Sequence, residues 1–69
     1  MSMTHATFYG ENYTVTAVGS VTDGDFDGIV NIMYIEGDEA TDITDFIYDH
    51  LPIGFINELE QTLIDNIEN

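Results

Sequence analysis

The sequence predicts an α+β fold: a three-stranded antiparallel meander followed by one short and one longer C-terminal helix packed on one face. The first half of the chain is rich in β-branched and aromatic residues, interrupted by turn residues, as is typical of short strands. The second half carries apolar residues at intervals of three and four, the spacing of an amphipathic helix. Hydrophobic residues make up 43% of the 69 positions. That is enough for a small core in one domain spanning residues 1–69.

The strands are predicted from three runs in the first half of the chain. Two runs rich in Thr, Val, Phe and Tyr flank a short turn and read as a hairpin. A third run is more continuously apolar, which favours a central position in the sheet. The strands are expected over residues 7–9, 13–18 and 29–35, with a turn at 10–12, a loop over 23–28 and a closing turn at 37–38.

Two helices are predicted in the second half. Asp42 or Thr41 is expected to cap the short helix. Pro52 ends that helix, because proline has no amide hydrogen to donate, and it is also well placed to open the next one. The longer helix is expected from residue 53 to about residue 66. The predicted buried faces are Ile43, Phe46, Ile47 and Leu51 in the first helix, and Ile56, Leu59, Leu63 and Ile67, widened by Phe55 and Ile64, in the second.

The charge of the chain has only one sign. There are 14 Asp and Glu residues and no Lys or Arg, giving a formal net charge of −14. A domain of ordinary composition and this length would contain about eight basic residues. Because no carboxylate can find a Lys or Arg partner within the chain, like-charge repulsion is relieved only by salt or by a partner. The composition therefore predicts a basic protein as partner, and neither nucleic acid nor an anionic membrane.

Many acids are expected at outward-facing positions. Asp42, Asp45 and Asp49 are spaced i, i+3, i+7, which places them on one face of the first helix. A second row opposes the apolar stripe of the last helix, and its final members stand at the helix end where the macrodipole disfavours anions. The predicted partner-binding residues are Asp42, Asp45, Asp49, Glu58, Asp65, Glu68, Asp25, Asp27, Glu36 and Glu39.

The segment 23–28 offers an alternative, because its D-x-D-x-D-G pattern matches the opening of a calcium-binding loop. The bidentate Glu that closes such a loop belongs at its twelfth position, which is Tyr34 here, and Glu36 comes two residues late. An acidic hairpin loop is the favoured interpretation. A calcium site formed by Asp23, Asp25 and Asp27 is kept as the alternative.

Catalysis, cofactors and membrane insertion are not expected. The chain has no Cys, Lys or Arg to act as nucleophile or cation, and no Gly-rich phosphate loop. No run approaches the roughly 20 apolar residues that span a bilayer, and the first residues do not resemble a secretory signal. We expect a soluble cytoplasmic protein that is not an enzyme. The aromatic residues are expected mostly in the core, with Tyr9, Tyr13, Tyr34 or Tyr48 as interface anchors if exposed.

The fourteen acids and the two rows, Asp42/Asp45/Asp49 and Glu58/Asp65/Glu68, resemble the surface of small acidic bacteriophage proteins that mimic DNA. Such proteins disable host enzymes, as the anti-restriction and anti-CRISPR mimics do. The stretch from residue 35 to residue 46, followed by a Glu-rich helix, is also similar to a pattern in uncharacterised phage proteins. The resemblance implies a phage-encoded inhibitor in the host cytoplasm. It is one of surface character and implies no particular architecture.

Two further interpretations stay open. An acidic adaptor that docks on a basic partner without imitating nucleic acid needs the same surface. A homodimer, paired through a sheet edge or the apolar face of a helix, would double the number of carboxylates on one particle.

Overall fold

The computed structural model describes residues 2–67, which form an open four-stranded antiparallel sheet and two helices. The strands lie side by side in chain order, so each is followed by its neighbour across a tight turn. Within these residues, neither helix has the length and apolar character needed to cross a membrane. The elements are β1 (Ser2–Tyr9), β2 (Thr14–Thr22), β3 (Asp25–Glu36), β4 (Glu39–Asp42), α1 (Thr44–His50) and α2 (Ile53–Asp65).

The α+β class is confirmed, but the prediction of three strands is wrong because β4 adds a fourth. All four residues of β4 are exposed, and two of them are acids, so no apolar alternation marks the segment as a strand. It forms because β3 is twelve residues long and offers a free edge. Glu36 lies opposite Glu39 and Met33 opposite Asp42 in the β3–β4 register. Main-chain pairing, rather than side-chain burial, makes this strand.

The turn between β2 and β3 is shorter than predicted. Asp23 and Gly24 both have positive φ, 56° and 86°. Two consecutive positive φ values are the signature of a two-residue type I′ turn, for which Asp-Gly is a preferred pair. Thr22 and Asp25 therefore lie opposite each other directly beyond the turn. The predicted loop over residues 23–28 is wrong in its last four positions, which belong to β3.

The core lies on one face of the sheet. Ala6, Ala17 and Ile32 form a row across β1, β2 and β3, and all three are buried. The two alanines leave room for the helices to approach the sheet closely. Both helices pack on this face, as predicted, and contribute Ile47, Ile56, Leu59 and Leu63 to the same cluster.

The buried stripes of the helices are narrower than predicted. Phe46 is 57% exposed, Phe55 is 45% exposed and Ile64 is 39% exposed, so these three residues are not core. The short helix α1 has one buried residue, Ile47. Within the described residues, α1 contributes Ile47 to the buried cluster and α2 contributes Ile56, Leu59 and Leu63. The apolar side chains beside these stripes stay in contact with water.

The C-terminal end of α2 is tied to the edge strand β1 by two hydrogen bonds. The buried Thr4 hydroxyl donates to the Leu63 carbonyl at 2.8 Å. The Asn66 side-chain amide, just beyond the helix, donates to the His5 carbonyl at 2.7 Å. These bonds join residues about sixty positions apart in sequence and fix where the helix crosses the sheet.

Replacing Thr4 with Val keeps the shape of the side chain and removes its hydroxyl. We expect the free energy of unfolding, measured with urea, to fall by about 1–2 kcal/mol because a buried hydrogen bond is lost. Thr7→Val is the matched control, because Thr7 is exposed on the same strand. It should change stability by less than about 0.5 kcal/mol. Equal losses in the two variants would show that the Thr4–Leu63 bond does not stabilise the fold.

Candidate functional site

The acids lie almost entirely at the surface. Thirteen of the fourteen fall within residues 2–67; twelve of these are exposed, and Glu60 is half-buried. Their distribution along the chain is uneven, because strands β1 and β2 contain none and Glu11, in the turn between them, is the one acid before Asp23. The remaining acids line the other turns, β3, β4 and the helices. In the described part of the molecule, strands β1 and β2 therefore carry no acid, whereas the remainder is densely acidic.

The first predicted row of acids is not a helix face. Asp42 lies in β4, outside α1, so the placement of this residue on the helix was wrong. The reason is that pairing with β3 keeps the chain extended up to Asp42, and the helix begins only at Thr44. Asp45 and Asp49 remain on α1, four residues apart and both exposed. One turn of helix therefore carries two carboxylates of the three that were predicted.

Asp42 instead stabilises the start of α1. Its carboxylate accepts hydrogen bonds from the Thr44 hydroxyl at 2.6 Å and from the Thr44 amide at 2.9 Å. The Thr44 hydroxyl oxygen in turn accepts from the Ile32 amide of β3 at 2.8 Å. The bonds from the Thr44 hydroxyl and amide lower the pKa of Asp42, because they favour the charged carboxylate. The prediction that Asp42 or Thr41 is the capping residue is wrong, because the N-cap position belongs to Ile43, which makes no side-chain cap hydrogen bond. Asp42, one residue earlier, bonds the first helical residue instead.

The second row is partly described. Glu58 is exposed on α2, and Asp65, also exposed, accepts a hydrogen bond from the Gln61 side chain at 3.0 Å. Glu68 lies outside the described residues. The row therefore contributes two exposed carboxylates, seven residues apart, on α2.

The acids of the sheet form two groups, one near the β2–β3 turn and one near the β3–β4 turn at the other end of β3. Asp27 accepts a hydrogen bond from the Thr22 hydroxyl at 2.6 Å, with the Ser20 hydroxyl at 3.5 Å. Asp25 is exposed beside the Asp23-Gly24 turn. Glu36 and Glu39 face each other across the opposite turn, between β3 and β4. The sheet therefore presents acids at both ends.

The proposed calcium ligands do not form a cation site. Asp23 is in the turn, whereas Asp25 and Asp27 lie on β3, and Asp27 is already bonded to hydroxyl groups of β2. Among residues 2–67, no three His, Cys, Asp or Glu side chains are grouped so that they could hold a metal ion. A calcium loop turns its alternate carboxylates inward onto one ion. Here the chain from Asp25 onward pairs with β2, with a register shift next to Asp27, and β2 hydroxyl groups hold the Asp27 carboxylate instead.

The negative field acts on two tyrosines. Desolvation, and then the Glu60 carboxylate, raise the pKa of Tyr48. Desolvation, and then the Glu36 carboxylate, raise the pKa of Tyr34, whose ring stacks on Tyr13 with centroids 5.2 Å apart. A nearby anion makes a second negative charge unfavourable. The same field favours any cation that approaches.

A groove of about 520 Å³ lies between the β1–β2 hairpin and the two helices. Its floor includes the buried side chains of Ile47 and Leu59, so it reaches the hydrophobic core. Among the residues that the structure describes, Glu58 is the one charged side chain on its walls. This volume is within the range of about 300–1,000 Å³ that is typical of ligand pockets. The remaining walls are formed by Phe8, Tyr9, Tyr13 and Val15 of the hairpin and by Ile43, Phe55 and Thr62 of the helical half.

Four aromatic rings border the groove and remain partly in water. Tyr9 is 82% exposed, Phe55 is 45% exposed, and Phe8 and Tyr13 are each 43% exposed. The sequence marked Tyr9 and Tyr13 as anchors if exposed, but it did not mark Phe8 or Phe55. A signal was present in the alternation of a strand, because the adjacent residues Phe8 and Tyr9 cannot both point into the core. Exposed aromatic groups of this size are typical of binding surfaces.

Asp42→Asn keeps an acceptor oxygen and removes the charge, so it weakens the two hydrogen bonds that Asp42 accepts from Thr44. We expect this variant to melt at a lower temperature than Asp38→Asn, which removes the same charge from a turn. Because the pKa of Asp42 is lowered in the folded state, its stabilising effect exists above the pKa of an unfolded Asp, about 3.9. The effect is lost as the pH falls through the lower folded pKa. The melting temperatures of the two variants should converge as the pH falls from neutral to about pH 2. A difference in melting temperature that stays constant with pH would show that the charge of Asp42 does not stabilise the start of α1.

Calcium and magnesium should raise the melting temperature equally at equal ionic strength, because both screen the carboxylates and neither has a formed site. A thermal shift titration with each chloride salt measures this. A larger effect of calcium that disappears in Asp25→Asn would restore the calcium loop.

Comparison with models of known protein families, with curated proteins and with solved structures finds no match to this chain. Its function must therefore be argued from its own surface.

Proposed function

We propose that the protein is a phage-encoded DNA mimic that binds a host nucleic-acid-binding enzyme and inhibits it by occupying its basic groove. Candidate targets are a restriction enzyme, a CRISPR effector, RNA polymerase or a repair nuclease. The protein would act in the host cytoplasm, without catalysis, a cofactor, membrane contact or nucleic acid of its own. Its ligand is the basic surface of the target.

The observation that carries this proposal is a folded chain with fourteen acids and no Lys or Arg. Twelve of its acids are exposed within residues 2–67. Unpaired carboxylates on one particle repel each other and reduce stability, so a benefit outside folding favours them. A target that normally holds a polyanion supplies the missing cations and releases the counterions of both surfaces.

The placement of the acids supports mimicry by a broad field more than by a regular array. Asp45 and Asp49 stand about 6 Å apart along the axis of α1, whereas successive phosphates of one DNA strand rise about 3.4 Å. The turn acids Glu36 and Glu39 and the helix acids Glu58 and Asp65 add charge in other directions. Attraction to a basic groove requires this charge density and no exact phosphate spacing.

A second candidate function is that of an acidic adaptor, favoured by the aromatic groove. A mimic that worked by charge alone would need no apolar binding surface, whereas an adaptor needs one for specificity. The two functions differ in one property: nucleic acid competes with a mimic for the same surface of the target. A homodimer, the other predicted partner, would meet the least repulsion through strands β1 and β2, because these two strands contain no acid.

Capture from bacterial lysate tests the proposal. The tagged protein should retain a nucleic-acid-binding protein, and duplex DNA added in excess should release it. Affinity for the purified target should fall at least about tenfold between 50 and 200 mM salt, because several carboxylates contribute. Asp45→Asn/Asp49→Asn should bind more weakly than wild type. Asp23→Asn/Asp25→Asn removes the same charge near the β2–β3 turn, so equal weakening by the two pairs would show that total charge matters more than the face of α1.

Three outcomes are informative. Release by DNA supports mimicry, and retention of the target in the presence of DNA supports the adaptor. Failure to retain any nucleic-acid-binding protein contradicts the mimic outright.

A further inference from the structure

We propose that the aromatic groove receives an apolar side chain of the basic partner protein, with a neighbouring Lys or Arg of that partner placed against Glu58. This inference rests on the proposed function for the existence of a basic partner. It identifies the surface that recognises the partner in addition to charge. It also states which side chains the partner must present there.

The shape of the groove fits an apolar anchor. It has a floor of buried aliphatic side chains, including Ile47 and Leu59, which are 7% and 6% exposed. The walls carry the rings of Phe8 and Tyr9 on β1 and of Phe55 on α2, which offer aromatic surface to an apolar partner side chain. Burying a Leu, Met or Phe side chain in such a site removes apolar surface from water and favours the complex. That gain is available to an apolar residue and not to a charged one.

The negative charge at the groove determines which partner residue can lie next to the apolar anchor. Glu58 is exposed on the wall and makes no side-chain hydrogen bond within the described residues, and the sequence contains no Lys or Arg to neutralise it. A fatty acid or a nucleotide would bring a second anion close to Glu58 and into the field of a chain with net charge −14. A Lys or Arg beside the anchor instead gains an ion pair, and the face of a neighbouring aromatic ring can also stabilise it.

The position of Glu58 is well defined by the helix. It lies within α2, one residue before the buried Leu59, and its own carbonyl accepts a hydrogen bond from the Thr62 hydroxyl at 3.0 Å. Thr62 also lines the groove. The carboxylate is therefore presented next to the apolar floor by a regular and packed element. An apolar pocket with one charge at its wall is a common form of interface hot spot.

A protein is a better occupant than a small hydrophobic cation because the groove is open and the rest of the surface is acidic. Tyr9, at its border, is 82% exposed, so a small molecule would leave much of that ring in water. A protein could cover the ring while its other basic residues meet the acids around the groove. The same contact would then supply both affinity by charge and specificity by fit.

Three fluorescent peptides of equal length test the inference with the full chain. The first carries Phe between two Arg, the second Ala between two Arg, and the third Phe between two Glu. At about 0.15 M salt, anisotropy should show the Phe-Arg peptide binding about tenfold more tightly than the Ala-Arg peptide, because only the first fills the groove. The Phe-Glu peptide should not bind measurably.

Two pairs of variants localise the binding. Glu58→Gln should weaken the Phe-Arg peptide about tenfold, whereas Asp65→Asn on the same helix should change its affinity less than about twofold. Tyr9→Ser should reduce the preference for Phe over Ala, and Tyr48→Ser, an exposed tyrosine away from the groove, should leave that preference unchanged. Neither tyrosine is buried, so both variants should fold; circular dichroism verifies this.

Equal binding of the Phe-Arg and Ala-Arg peptides, or equal effects of Glu58→Gln and Asp65→Asn, would overturn the inference and leave the DNA-mimic proposal untouched. Binding of phenethylammonium in the groove without preference for the Phe-Arg peptide would also overturn it and point to a small-molecule site. Conversely, a clear preference for the Phe-Arg peptide, combined with a lysate partner that DNA cannot displace, would support the groove and contradict mimicry.

Discussion

Every carboxylate of this protein must remain in water, because the chain has no Lys or Arg with which a buried anion could pair. Desolvating an unpaired carboxylate is very costly, so twelve of the thirteen acids within residues 2–67 are exposed, in turns, near the ends of β3, on β4 and on the helices. The core is built from Ala6 and Ala17 of the β1–β2 hairpin, Ile32 of β3 and narrow stripes on the helices. The absence of Lys and Arg lowers the stability of the fold through repulsion between carboxylates, and it also gives the protein a surface whose charges are all negative.

The few polar contacts that stabilise the fold are compatible with this constraint. Asp42 reduces the unfavourable effect of its charge by accepting two hydrogen bonds from Thr44, and Thr44 is itself bonded to β3. Asp27 is satisfied by hydroxyl groups of β2. Neutral donors thus replace the cations that other proteins use. The carboxylates left without such donors, Glu58 among them, are the ones best suited to meet a cationic partner.

The sequence predicts the parts of this fold that depend on side-chain pattern and misses those that depend on the backbone. The stripe of Ile56, Leu59 and Leu63 and the α+β class are visible in the spacing of apolar residues. Strand β4 is not, because its four exposed residues are held by pairing with β3 rather than by burial. For the site, the exposure of the acids follows from their charge. Asp42 was predicted to lie on the first helix, but it lies in β4, which the sequence did not predict. The groove lies between the β1–β2 hairpin and the helices, where Phe8 and Phe55 stay partly exposed. It depends on residues far apart in the sequence, so no local sequence pattern predicts it.

The central claim is that the folded state carries uncompensated like charge at its surface. Urea, which is uncharged, can unfold the protein at a series of sodium chloride concentrations from about 0.01 M to 1 M, where the Debye length falls from about 30 Å to about 3 Å. We expect the urea midpoint to rise with salt, most steeply at the low end, and potassium chloride to give the same curve. A midpoint that does not change with salt, or that falls, would show that the surface charge is not left uncompensated.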